Sequence, residues 1–486
     1  MKFSYNMTMI KKTDQEKDKT FSAFSRRTMN EILKTWKKIV SKTRIAVTGK
    51  LDPDLSGADE EHLRNKIHEC VFARGGESSS RSRSVELGKI YLGLSKEGRQ
   101  KFMKVLAREF DIDHREVTAV IRKFQNSEDE ESRVKAETDL SKTLIPPRVK
   151  LLKQFNALPN GFKFLIDFRA ELLPIRKANP FLKKLDIDLK GILSSWFDIG
   201  LLDLKEITWQ SPASLLEKLI EYEAVHKIRS WDDLKNRLDS DRYCFAFFHN
   251  KMPEEPLIFV EVALENEISG NIRKLLDEEA ATIKPEDADT AIFYSISNAQ
   301  RGLSEINFGN FLIKRVVEEL STKLKNLKHF ATLSPAPYFR KWLDPLLYNG
   351  DESILNPEES KAIRYKTAST NAASGLLGLL NSGWNSDPEI AKVLKPILMR
   401  LCAHFLIYEK KNEKAFDPVA NFHLSNGARI ERINWLGDSS SKGMKQAAGI
   451  MVNYYYELSE IEKNHELYIT EGQINASKSV RKQLKT

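Results

Sequence analysis

Two short stretches carry side chains able to do acid–base work. In ATLSPAPYFRKWL (331–343) a lone serine, Ser334, follows a strand-like run and precedes two prolines. Further on, DPVANFHLSNGARIERINWLGD (417–438) places His423 in a second apolar, strand-like run. An imidazole takes and returns a proton near neutral pH, and a hydroxyl beside it can bind an anion or relay that proton. Each residue also has a plain reading. Serine before proline at a strand end makes a turn, and a histidine in an apolar run is satisfied within a core. His249 and His404 have equal claims on spacing, and nothing in the residue pattern brings Ser334 and His423 together. Tyr454, Tyr455 and Tyr456 read as core and surface aromatics.

A third stretch, SISNAQRGLSEINFGNFLIKRVVEEL (295–320), reads strand, glycine-punctuated loop, helix. A helix N-terminus presents unpaired N–H groups and the positive end of the dipole, which suits a phosphate. Gly302 and Gly309 would let the backbone approach a ligand closely. The stretch is neither a P-loop nor a dinucleotide fingerprint, so an ordinary strand-to-helix connection fits it equally.

The elements around these stretches change character along the chain. Residues 1–55 are Lys- and Thr-rich, and read as a poorly ordered arm with one weakly amphipathic piece, TMNEILKTWKKIV. ARGGESSSRSRS (73–84) reads as a loop by its Gly and Ser content. Phe102, Val105, Leu106 and Phe110 then repeat at helical spacing, as do Val117, Val120, Ile121 and Phe124. QNSEDEESRVKAETD is a connection or an exposed helix. Two more helical segments flank a Pro-Asn-Gly turn near residue 160, and no strand is expected before about residue 190. This predicts an all-α domain over 56–200 with no chemistry of its own.

From 201 to 486 short runs rich in β-branched and aromatic residues appear: RYCFAFFHN, PLIFVEVAL, TAIFYSIS, LKHFATLS, VANFHL, RIERINWL and GIMVNYYYEL. Helices lie between them, most clearly NFLIKRVVEELSTKL, where Ile313, Val316, Val317, Leu320 and Leu324 share one face. The fold class is α+β: a helical bundle domain, then a mixed α/β domain.

Composition narrows the function. The formal charge of +9 is spread over 77 basic and 68 acidic residues, a mixed surface whose mild excess fits a polyanionic ligand or plain solubility. No apolar run approaches the roughly 18 residues a membrane span needs. Three cysteines, Cys70, Cys244 and Cys402, without metal-ligand spacing fit a reducing compartment and argue against a zinc site. The N-terminus has no apolar signal region, and Asp14, Glu16 and Asp18 count against an organellar transit peptide. The C-terminal KQLKT is not a peroxisomal signal, so the expectation is cytoplasmic.

YEAVHKIRSWDDLKNRL, AIFYSISNAQRGLSEINFGNFLIKRVV, FATLSPAP, DPVANFHLSNGA, RINWLGD and GIMVNYYYEL occur together in this order. This series resembles the malonyl-CoA decarboxylase family over most of residues 195–480. The resemblance implies a GNAT-like catalytic domain behind a helical domain that mediates assembly, and a homotetramer. It implies malonyl-CoA as substrate, no nucleic-acid or membrane partner, and no cofactor or metal. Ser304, Glu305, Ile306, Asn307, Phe308, Gly309, Asn310 and Ile313 match the stretch that binds coenzyme A. Glu305 sits awkwardly beside a phosphate, so its backbone is expected to face the ligand. Ser334 and His423 match the catalytic serine and histidine, with Ser334 at the malonyl carboxylate as proton acceptor and His423 protonating the product carbon. Asn421 and Tyr456 are candidates for supporting or oxyanion roles. A CoA-dependent acyltransferase would share the phosphate loop but would need an amine site and not this histidine. A CoA-binding sensor would bind without turnover.

Overall fold

The computed structural model describes residues 51–55, 57–72, 76–306 and 312–485. Residues 1–50 of the arm expected over 1–55, and the loop residues Asn307, Phe308, Gly309 and Asn310, lie outside them. The described chain forms two compact units, one running to Leu193 and including Arg301–Leu303, the other holding the remainder.

The first unit contains the helices α1 (Gly57–Phe72), α2 (Glu77–Gly93), α3 (Lys96–Glu109), α4 (His114–Gln125), α5 (Glu130–Thr143), α6 (Pro147–Gln154), α7 (Gly161–Leu172) and most of α8 (Pro180–Trp196). Tyr91, Phe102, Phe164 and Phe168 pack ring against ring in its core, and burying each such side chain is worth roughly 1.5–3 kcal/mol. Buried Arg148 bridges Asp111 and Asp188 at 2.9 and 2.6 Å. QNSEDEESRVKAETD is a short connection over 126–129 followed by the mostly exposed helix α5, which begins at Glu130. The expected loop over 73–84 is corrected from residue 77 onward, where α2 begins. Its serines stay helical because Ser80 and Ser84, one turn apart, clasp the amide of Gln154 at 2.7 Å each. That is a tertiary contact no local composition reveals. Gly302 also serves a different end from the one expected. A Cβ there would lie 1.8 Å from the Ile166 carbonyl oxygen, and the Gly302 carbonyl accepts from buried Arg169 at 2.6 Å. Its bareness admits backbone.

The second unit is built on a mixed sheet. In chain order its elements are β1 (Leu202–Ile207), α9 (Ala213–Tyr222), α10 (Trp231–Asn236), β2 (Arg242–His249), β3 (Ile258–Glu265), α11 (Ile272–Leu275), β4 (Thr290–Asn298), α12 (Leu312–Lys323), β5 (His329–Thr332) and β6 (Ser334–Pro335). Then follow α13 (Phe339–Tyr348), α14 (Pro357–Thr367), α15 (Ala372–Leu380), α16 (Pro388–Tyr408), β7 (Lys410–Lys411), β8 (Lys414–Ala415), α17 (Pro418–Ser425), β9 (Arg429–Asn434), α18 (Ser441–Ala447), β10 (Met451–Tyr455), α19 (Ile461–Glu471) and α20 (Lys478–Gln483). Strand order is β1-β2-β3-β4-β5-β10-β6, with β9 also pairing β10. All pairs are antiparallel except β4 with β5. A parallel pair needs a crossover, and α12 supplies it, burying Ile313, Val316, Val317 and Leu320 as its apolar stripe expects.

One expected strand is not a strand. VANFHL folds as α17, so His423 sits on a helix. Asp417 caps it and Pro418 occupies its first turn, a local signal that outweighs the apolar run.

Candidate active site

β10 aligns one half of the site. Its start pairs Val452 with Ser334 on β6, and its end pairs Tyr455 with Ala331 on β5. Side chains alternate along a strand, so Tyr454 and Tyr456 share a face, and it is this face that meets α17. The His423 ring stacks on Tyr454 with centroids 4.5 Å apart and planes inclined by 26°. Its Nδ1 lies 2.8 Å from the Tyr456 hydroxyl. Its Nε2 lies 3.0 Å from Ser334 Oγ. The fold therefore brings together the two residues that the sequence left far apart.

The proton positions follow from Thr332. The Ser334 hydroxyl donates to Thr332 Oγ1 at 3.0 Å, so Ser334 Oγ accepts from an Nε2–H. His423 Nδ1 then accepts from the Tyr456 hydroxyl. The wiring runs Tyr456, His423, Ser334, Thr332, each group donating to the next. Thr332 is held in turn by the Tyr454 N–H on Oγ1 at 3.1 Å and by the Asn453 amide on its carbonyl at 2.7 Å.

Electrostatics fix the protonation state. His423 is fully buried with neutral partners, and burial drives its pKa down to about 3, so the ring is neutral. Burial pushes the Tyr456 phenol well above its ordinary value, which keeps it a donor.

Asp417 ties the two halves together. Its Oδ1 accepts from the N–H groups of Val419 and Ala420 at the start of α17, at 2.9 and 3.0 Å. Its Oδ2 accepts from the Tyr338 N–H at 3.0 Å, shortly after Ser334. One carboxylate thus fastens the histidine's helix to the serine's turn. Burial raises its pKa to about 6 despite three N–H donors. Sequence reading missed Asp417, Thr332 and Tyr454. The Asp-Pro pair before an apolar run was the available signal for the cap.

The remaining candidates are distributed as follows. Ser304 is half-buried and Ile306 is buried, while the Glu305 side chain is exposed on a left-handed backbone with φ of 65°. Such a conformation costs a non-glycine residue about 1 kcal/mol or more and marks a segment held by its surroundings. Ile313 is fully buried in the stripe of α12. Asn421 accepts from the Tyr468 hydroxyl at 2.7 Å and so fastens α17 to α19. His249 packs on Phe197 and His404 stacks on Trp342, both away from the pair. The three cysteines are buried and unbridged. Among the described residues no three His, Cys, Asp or Glu side chains gather as a metal ligand set, and no helix is long and apolar enough to cross a membrane.

A mixed sheet with a helical crossover and a buried, oriented hydroxyl–imidazole pair marks an enzyme. Two family models match the chain: the malonyl-CoA decarboxylase C-terminal domain over residues 200–486 and the corresponding N-terminal domain over 110–197. The mitochondrial malonyl-CoA decarboxylase of Anser anser anser is 39% identical over 415 residues, covering 82% of each chain. That of Rattus norvegicus is 38% identical over 398 residues, covering 79% of this chain and 81% of the relative. The crystal structure of malonyl-CoA decarboxylase from Rhodopseudomonas palustris superposes with a TM-score of 0.80 at 40% identity, covering 87% of this chain and 99% of that one. The chain belongs to the malonyl-CoA decarboxylase family.

Proposed function

We propose that this chain converts malonyl-CoA to acetyl-CoA and CO2 with Ser334 and His423 at the reacting carbons. The observation that carries the reading is the buried 3.0 Å contact between Ser334 Oγ and His423 Nε2, with the imidazole packed against the Tyr454 and Tyr456 rings. Loss of CO2 breaks the bond from the carboxylate carbon to Cα and leaves its electron pair on Cα, delocalised into the thioester as an enolate. One proton must then reach Cα. Ser334, turning from Thr332, donates to the malonyl carboxylate and holds it at the pair. A neutral imidazole is a poor acid. The bound substrate's negative charge raises the His423 pKa, so the ring becomes protonated when substrate is present and hands that proton to Cα. The Tyr456 hydroxyl on Nδ1 keeps Nε2 directed at the reacting group. Exclusion of water strengthens each of these interactions.

Coenzyme A would be held by the strand–loop–helix of 304–313. The N-terminal N–H groups of α12 take the pyrophosphate, with Ser304, Glu305 and Ile306 leading into the loop and Asn307, Phe308, Gly309, Asn310 and Ile313 completing it. The helical domain serves assembly into a homotetramer. A cytoplasmic location is part of this reading, whereas the named animal relatives are mitochondrial; fractionation of the source cells distinguishes the two.

The test is acetyl-CoA release from malonyl-CoA in EDTA by wild type, Ser334→Ala and His423→Ala, with CoA binding measured alongside. Turnover that collapses in both variants while CoA binding persists supports the mechanism. Full turnover in His423→Ala assigns the proton to another group. CoA binding without turnover in the wild type returns the sensor reading, and acyl transfer to amines without CO2 the transferase reading.

A further inference from the structure

The first unit holds three residues from the middle of the second unit's sequence. β4 ends at Asn298, and the next two residues stay beside the sheet: the Ala299 N–H donates to the Leu257 carbonyl at 2.9 Å, and Gln300 Nε2 donates to the Pro256 carbonyl at 3.0 Å. Arg301–Leu303 then leave it and belong to the first unit. Two contacts with α7 fix them there. At Gly302 only glycine fits, because a Cβ would stand 1.8 Å from the Ile166 carbonyl oxygen. The Gly302 carbonyl accepts from Arg169 Nη1 at 2.6 Å. Arg169 is fully buried, and its Nε donates to Asp186 Oδ1 of α8 at 2.7 Å. Asp186 is buried too, and its other oxygen takes Arg176. The guanidinium therefore cannot swing away from the turn without giving up a buried, charge-assisted contact. Leu303 is fully buried as well. The stretch 304–313 begins one residue later, and Glu305 already stands at the left-handed φ of 65°.

We propose that Arg169 and Asp186 are positioning residues for coenzyme A binding. Holding Gly302 fixes the point and direction from which Ser304, Glu305 and Ile306 set out. A binding segment set in place beforehand raises affinity, because less conformational entropy is lost when the ligand arrives. The helical domain then contributes to coenzyme A affinity as well as to assembly. The proposal rests on the coenzyme A role given to 304–313 above, and it is independent of which residue supplies the proton.

Coenzyme A is titrated by calorimetry into full-length wild type, Arg169→Lys and Gly302→Ala, with Arg148→Lys as a control. Arg148 is a comparably buried arginine of the same unit, paired with Asp111 and Asp188 and not with Gly302, so its replacement reports general weakening of that unit. Lysine keeps a charge near Asp186 but lacks the fork that reaches Asp186 and Gly302 at once. The expected result is a Kd for coenzyme A raised about 10-fold in Arg169→Lys and in Gly302→Ala, and unchanged in Arg148→Lys. In malonyl-CoA turnover the same two variants should raise KM and leave kcat within about 2-fold, since Ser334 and His423 are untouched. An unchanged Kd in both variants overturns the proposal, and so does an equal rise in Arg148→Lys. A wild type that binds no coenzyme A overturns the role given to 304–313 and the proposal with it. In a wild type that binds coenzyme A without turning over malonyl-CoA, only the decarboxylase reading falls, and the Kd values of the variants still decide the proposal.

Discussion

The neutral state of buried His423 has a measurable signature in stability against pH. In the folded chain its pKa is held near 3, against 6.5 for the free side chain. A depressed histidine pKa means the unfolded chain binds more protons between those values, so stability falls as pH falls through that window. At pH 7.5 the linkage is negligible. Near pH 5 the unfolded state gains about 2 kcal/mol by protonating this one histidine, and near pH 4 about 3 kcal/mol. The perturbation is His423→Gln, which keeps a polar side chain of similar size but does not titrate. Urea unfolding of wild type and variant is compared at pH 7.5 and pH 5. Whatever the variant costs at pH 7.5, the gap between the two proteins should close by about 2 kcal/mol at pH 5. Other titrating groups cancel in the difference. A gap that stays constant means His423 titrates near its ordinary value in the folded chain, and the claim that substrate must raise its pKa falls with it. Histidine Cε1 resonances followed by NMR give an independent reading: one signal should stay in its neutral position down to pH 5 in the free protein and move when a non-hydrolysable malonyl-CoA analogue binds.

Three further outcomes follow from the site and its supports. Asp417→Ala removes the cap of α17 and leaves the Tyr338 N–H unpaired, so it should cost about 2–4 kcal/mol in urea unfolding and lower kcat. Asp417→Asn, which keeps an acceptor, should recover part of both, and equal losses in the two variants would refute the tie between the two segments. Tyr456→Phe removes one hydrogen bond to His423 Nδ1 and should lower kcat about 10-fold with KM little changed; a change in KM alone in steady-state kinetics would deny it the orienting role. Arg237 is buried between Asp233 and Glu261 at 2.8 and 3.0 Å, and burial has pushed Glu261 up to about 8. Arg237→Met should therefore destabilise by about 3–5 kcal/mol, read by urea unfolding, because it strands two buried carboxyls.

Periodicity was enough for the helices around Phe102 and Val117 and for the stripe of α12, because each buries one face and repetition every three or four residues is the direct record of that. It was enough too for the aromatic strands RYCFAFFHN, PLIFVEVAL and TAIFYSIS, whose branched and aromatic residues suit a pleated, buried surface. It failed at ESSSRSRS, where only the clasp on Gln154 keeps serines helical, and at VANFHL, where an Asp-Pro cap outweighed an apolar run too short to show its period. The order of motifs was legible because a family resemblance needs no coordinates. The proximity of Ser334 and His423 was not, since no local rule spans the residues between a strand end and a later helix.

By itself the sequence determined which segments could bury a face, where the all-helical part gives way to strands, and which family's residues stand at each position. Tertiary structure alone decided that β10 sets Val452 against Ser334 while turning Tyr454 and Tyr456 toward α17, and that Asp417 fastens that helix to the turn after Ser334. The physical reason is that side-chain reactivity here is a property of surroundings. The same imidazole that titrates near neutrality in an open chain is neutral, oriented and wired only once four separate segments have closed around it and excluded water.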